Sequence, residues 1–167
     1  LPAGGATPLA VLGSVNAGLE FVAQWNAPRD RPDAIVVPLG SGGTAAGLLV
    51  GMWLAGWKVD ICAVRVTDPW FANRRRVLAL ARRTIHLLGG AGAQVVEGPA
   101  DLRIVGDQLG PGYGHPTPAA VRARAALADA GITVDLTYGA KAGAALAPLA
   151  GSCRRRCFWH SFDALLT

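Results

Sequence analysis

The stretch from Ala34 to Gly47 constrains this chain more than any other. An Ile/Val-rich run ends at Leu39, the loop Gly40-Ser41-Gly42-Gly43 follows, and an apolar segment continues from Thr44 to Trp57. A short run that is apolar at every position marks a strand covered on both faces, as in a parallel sheet. The uncharged span from Ile35 to Trp57 is long enough to cross a bilayer. Pro38 and the glycine run inside it would leave backbone groups unpaired in lipid, so a buried strand, loop and helix fit better. Leu1 to Leu19 is also uncharged, but Pro2, Gly4, Gly5 and Pro8 break it and no basic segment precedes it. No membrane partner is expected.

The rest of the chain alternates in kind. Leu9, Leu12, Val15, Leu19 and Val22 predict a helix from Pro8 to about Trp25, and Pro28 to Pro32 punctuates it. Val59 to Val66 reads as the next strand. Arg74 to Leu88 reads as a basic amphipathic helix with Val77, Ala81, Ile85 and Leu88 on its apolar side, stopped by Gly89-Gly90. Gln94 to Glu97 is a further strand, Pro111 to Pro118 a loop, and Ala119 to Ala130 a helix ended by Gly131. Val134 to Leu136 is short and extended, Ala142 to Ala150 helical, and Cys157 to Trp159 a final buried strand. Strands separated by helices predict an α/β fold, an open and mostly parallel sheet flanked by helices, in a single domain over residues 1–167. With 51% hydrophobic and 16% charged residues among 167, the chain has the material for one core. Its 22 glycines and 11 prolines suit a loop-rich α/β domain and not a coiled coil or a bundle. Three cysteines cannot complete a disulfide set, so a reducing compartment, the cytoplasm, is expected.

Three segments can carry chemistry. Where the strand meets the helix, Gly40, Ser41, Gly42, Gly43 and Thr44 aim backbone N–H groups and the positive helix end at one point, with two hydroxyls beside them. Such a loop holds a phosphate without a lysine; a tight turn with nothing bound is the alternative. It lacks the Gly-Lys-Ser/Thr of a Walker loop and the spacing of the dinucleotide fingerprint. In Gly110-Pro-Gly-Tyr113-Gly-His115-Pro-Thr117-Pro118, a tyrosine between glycines is presented to a ligand, or the loop merely stiffens the helix start with Thr117 as N-cap. In Leu136-Thr-Tyr138-Gly-Ala-Lys141, a buried lysine would be a nucleophile, but near a helix start a solvated or anion-pairing role is expected. Cys153 and Cys157 have no companion ligand pair, so no metal site is expected. The net charge is +5, and the arginine runs 74–76 and 154–156 lack interleaved aromatics, so no nucleic-acid partner is expected.

Taken in order, the opening Leu1 to Gly13, Gly40 to Gly47, Pro111 to Thr117, Tyr138 to Lys141 and Phe158-Trp159-His160 resemble the D-cysteine desulfhydrase and 1-aminocyclopropane-1-carboxylate deaminase family. These are pyridoxal-phosphate enzymes of the tryptophan-synthase β-like fold. The resemblance implies that Gly40, Ser41, Gly42, Gly43 and Thr44 hold the phosphate of pyridoxal 5'-phosphate and that Tyr113 and Tyr138 are catalytic. It implies elimination or ring opening of a small amino acid, releasing ammonia and a 2-oxo acid, in an enzyme that is homodimeric at full length. Members are about twice as long, so the chain would be an incomplete C-terminal portion, with the Schiff-base lysine in an N-terminal half absent here. Lys58 and Lys141 do not match that lysine. Gly139 stands where relatives carry a threonine or glutamate facing the pyridine nitrogen, and Ser161-Phe162-Asp163 replaces Thr-Gly-Gly after the histidine. Both departures would alter the fit of the cofactor, and the lack of the lysine implies little or no turnover by this chain alone.

Overall fold

In the computed structural model, which describes residues 3–25, 30–89 and 98–160, the apolar run forms strand β1 (Ala34–Leu39). Four strands make one sheet in the order β3-β2-β1-β4, every neighbouring pair parallel, with β2 at Asp60–Arg65, β3 at Asp101–Val105 and β4 at Arg156–Phe158. Helices connect the strands: α1 (Pro8–Ala23), α2 (Gly43–Leu54), α3 (Arg74–Gly89), α4 (Pro118–Asp129) and α5 (Gly139–Ala144). The α/β architecture expected from the alternation is the one found.

Each face of the sheet has its own cover. Ile35, Val37 and Leu39 of β1 and Ile61 and Ala63 of β2 pack with α1, α2 and α3 in the main core. Ala34, Val36, Cys62 and Val64 point the other way, against Ala142 and Ala145 and the downstream Leu149 and Cys153. The period of two therefore persists inside an all-apolar run, because both faces are dry. Against α2, helix α1 comes unusually close. A Cβ on Gly47 would lie 2.4 Å from the Ser14 Cβ, so only glycine permits this crossing.

Local signals set the helix starts. Thr7 Oγ1 accepts from the Ala10 N–H at 3.2 Å and Pro8 occupies the first turn of α1; Thr117 caps α4 in the same way at 3.0 Å, as expected. Asn73 Oδ1 accepts the Arg76 N–H at the head of α3. Three sequence expectations change, one is untested and one strand is added. The strand assigned to Gln94–Glu97 lies outside the described residues, while β3 at Asp101–Val105 was not anticipated. Its charges conceal it: Asp101 pairs with Arg74 at 3.1 Å and Arg103 with Asp60 at 3.7 Å, and among the described residues β3 is the last strand on this side of the sheet. The expected buried last strand is instead half-buried, because β4 contacts only β1 at three positions. The expected helix over 142–150 begins earlier and breaks: α5 covers Gly139–Ala144 and a 3-10 turn, Pro148–Gly151, follows. Val134 to Leu136 joins no ladder and leads into a turn.

Candidate active site

In a parallel sheet the space beyond the carboxyl ends of the strands, where the strand order reverses, is open to ligands. Here the order reverses at β1, which has β2 on one side and the late strand β4 on the other. Beyond the carboxyl ends of β1 and β2 lies a cavity of about 430 Å³. Its floor is Gly40 to Thr44, with Gly4 and Thr67 beside it and Phe71, Tyr113 and Tyr138 as walls. All seven residues expected at the site are brought together.

The glycine loop owes its shape to its composition. Gly42 is the N-cap of α2 with φ +90°, in the left-handed region that costs little only for glycine. A Cβ there would also lie 3.0 Å from Val77 Cγ2. No side chain caps α2, so the N–H groups of its first turn are left to a ligand, with the helix dipole behind them. A phosphate fits this floor. Ser41 and Thr44 line it, and among the described residues no cationic side chain does.

The wall is built differently. Tyr113 and Tyr138 come from separate segments, yet their hydroxyls lie 2.7 Å apart and their rings meet edge to face at 5.9 Å. Burial, the bond to Tyr113 and the nearby Asp135 charge push the Tyr138 phenol up to about 12. Asp135 was missed by sequence reasoning. It is buried, and its carboxylate accepts the N–H groups of Thr137 and Tyr138 at 2.7 Å each and of Gly139 at 2.9 Å, so it sets the head of α5. An Asp three residues before a candidate tyrosine at a helix start was the available signal. Thr67 and Phe71 were missed as well, and Thr67 lay in the open as a residue just beyond the second strand.

Lys141 corrects another expectation. It is neither solvated nor paired with an anion: it is fully buried, and Nζ donates to Leu109 O at 2.8 Å and Gly112 O at 3.0 Å. Desolvation lowers its pKa. Lys58 is exposed just before β2, at the end of the sheet opposite the glycine loop. Neither lysine lines the cavity. His115 donates from Nδ1 to Tyr113 O at 3.0 Å, and His160 stacks on Phe158; neither reaches the cavity wall. At Gly139 a side chain is excluded, because a Cβ would lie 2.8 Å from Val134 Cβ. The Ser161-Phe162-Asp163 departure lies outside the described residues. Among the described residues no cluster of His, Cys, Asp or Glu is placed to hold a metal, and no helix is long and apolar enough to cross a membrane.

Comparison with known proteins agrees with this geometry. The chain is 33% identical over 147 residues to a D-cysteine desulfhydrase of Salmonella paratyphi C, covering 87% of this chain and 43% of the relative. It is 36% identical over 163 residues to a nocardicin C-9' epimerase of Nocardia uniformis subsp. tsuyamanensis, covering 96% and 49%. Among solved structures, an ACC deaminase homologue matches with a TM-score of 0.78 at 28% identity, over 95% of this chain and 46% of that one. The chain spans about half the length of the curated relatives it matches. A family model covers residues 1–161, and the chain belongs to the family it describes, the pyridoxal-phosphate dependent enzymes.

Proposed function

We propose that this chain carries the cofactor-phosphate side of the active site of a lyase or deaminase acting on a small amino acid, of the D-cysteine desulfhydrase kind, releasing ammonia and a 2-oxo acid. The observation that carries the reading is the facing of two elements across one cavity: an uncapped Gly/Ser/Thr helix start and a hydrogen-bonded phenol pair. Gly40, Ser41, Gly42, Gly43 and Thr44 bind the phosphate through backbone N–H groups and hydroxyls. When bound, pyridoxal phosphate supplies an electron sink for bond breaking at the substrate α-carbon.

Tyr138, with its pKa near 12, keeps its proton at neutral pH and acts as a donor, not a base. With Tyr138 donating to Tyr113, the Tyr113 hydroxyl keeps its own proton for a substrate atom. Phe71 walls the cavity on its apolar side. The reading extends to a soluble cytoplasmic enzyme that is homodimeric at full length, with a small amino acid and neither nucleic acid nor membrane as partner.

A second reading has its own support. Neither lysine lines the cavity, so the chain alone is a non-catalytic unit that acts by association with another chain bearing the lysine. In either case the isolated chain binds pyridoxal phosphate reversibly with little turnover. Titration of the chain with pyridoxal phosphate, followed by borohydride reduction and peptide mapping, tests this. Saturable binding that inorganic phosphate displaces, with no trapped lysine, is expected. Absence of saturable binding overturns the proposal, and a reduced adduct on Lys58 or Lys141 overturns the low-turnover expectation.

A further inference from the structure

The mechanism above leaves one buried cation unused. Of the two lysines only Lys141 is buried, and its ammonium holds two backbone carbonyls of one loop. The position of those carbonyls is what matters. Gly112 immediately precedes Tyr113, and Leu109 opens the same turn. Lys141 itself lies three residues after Tyr138, on the helix whose N-cap is Tyr138. Between the 109–113 loop and the head of α5, the phenol–phenol bond at 2.7 Å is a second tie.

We infer that Lys141 is a positioning residue, a clamp that docks the Tyr113 loop onto α5 and so sets the Tyr113–Tyr138 hydrogen bond at the cavity wall. The physical case is one of cost and rigidity. An ammonium fully out of water is retained against its desolvation only where strong acceptors meet it, and two charge-assisted bonds to carbonyls do so here. The loop needs the tie. It is rich in glycine, with Gly110 at φ +63°, Gly112 at +149° and Gly114 at +76°, and Tyr113 is 54% exposed. Side-chain packing alone does not hold such a segment, whereas a buried cation gathering two of its carbonyls does. A methionine of similar length would fill the space without the tie. The inference rests on the proposed role of the tyrosine pair, but its test does not involve the cofactor.

The chain has only two tyrosines, so tyrosine labelled at Cζ gives two carbon resonances and each phenol is followed separately by NMR at pH 7, where Lys141 carries its charge. Besides burial, Tyr113 and Asp135 act on Tyr138, and both remain in the Lys141→Met variant. With folding verified by circular dichroism, Lys141→Met is expected to move both Cζ resonances at pH 7 toward their positions in the unfolded chain, as the phenol–phenol bond opens. Lys141→Arg, which keeps the charge, is expected to recover part of that shift. A folded Lys141→Met with lower thermal stability and unmoved tyrosine Cζ resonances overturns the inference, because a merely structural lysine does that.

If Lys141→Met does not fold, the reverse experiment decides. Tyr113→Phe changes a half-exposed ring and removes only the phenol tie. Coupling between the two ties is reciprocal, so acetylation of Lys141, read by mass spectrometry against exposed Lys58 as reference, is expected to quicken severalfold. An unchanged ratio overturns the inference. Loss of pyridoxal-phosphate binding with the clamp intact would instead count against the proposed function alone.

Discussion

The floor and the wall of this cavity are built on opposite principles. Gly40 to Thr44 is one contiguous segment whose shape comes from its own backbone, with Gly42 in the left-handed region and a helix start left uncapped. The tyrosine wall is assembled from positions 113 and 138, and buried polar groups from elsewhere support it: Asp135 beneath Tyr138, Lys141 beneath the Tyr113 loop. The floor presents the N–H groups of an uncapped helix start, while the wall presents two phenol hydroxyls. A contiguous site depends on conformation, and an assembled one depends on its supports.

Breaking the supports should therefore cost the most. Asp135→Ala leaves three N–H groups at the head of α5 without their acceptor, and a loss of about 3 kcal/mol in chemical denaturation is expected. Phosphate binding at the floor should survive in whatever fraction folds. Gly42→Ala attacks the floor instead. Forcing a Cβ into φ +90° and toward Val77 is expected to cost about 1–3 kcal/mol and to weaken pyridoxal-phosphate binding at least about tenfold, while the phenol titration stays put.

Alkaline pH separates the two regions without a mutation, since the floor has no titrating side chain. Tyr138 titrates near 12 in the fold and near 10 when unfolded, so its contribution to stability is present below pH 10 and is lost as pH climbs through 12. Cys62, which burial pushes up to about 11, adds a loss of the same sign from about pH 9 upward. Lys141, its pKa lowered by burial, has the opposite sign: the cost of its buried charge is relieved as pH rises. Thermal unfolding of the wild type and Tyr113→Phe across pH 9 to 12 isolates the pair, and a shallower decline is expected in the variant. The smallest effect expected is that of Thr44→Val, which removes one hydroxyl from the floor and should weaken pyridoxal-phosphate binding by about three- to tenfold, measured by fluorescence titration.

This contrast also explains what the sequence disclosed. Strand β1 coincides with the apolar run, and the glycine loop takes its shape from adjacent residues, so both were legible before any coordinates. Tyr113 and Tyr138 were legible one at a time as candidates, but their contact was not, because nothing in a linear string brings residues 25 apart to a shared hydrogen bond. Lys141 misled because a lysine near a helix start is usually solvated, and only the carbonyls of a distant loop make its burial tolerable. Strand β3 was hidden by Asp101 and Arg103, whose charges form ion pairs with Arg74 and Asp60 and break the apolar signal expected of a parallel strand. The end of α5 was misjudged for a local reason: Pro148 converts the continuation into a 3-10 turn.

The return of β4 to the side of β1 has a kinetic consequence. Asp33 and Arg155, 122 residues apart, exchange hydrogen bonds at the foot of these strands: Arg155 N donates to the Asp33 carboxylate and Asp33 N donates to Arg155 O. Closing so long a loop costs on the order of 4 kcal/mol in chain entropy before any contact repays it. Local contacts such as α1 on α2 do not wait for that closure. The helical face can thus consolidate early, while the strand order reverses at β1 only in the last stage of folding. During synthesis β1 and the glycine loop emerge well before residues 156–158, which give β1 its second neighbour.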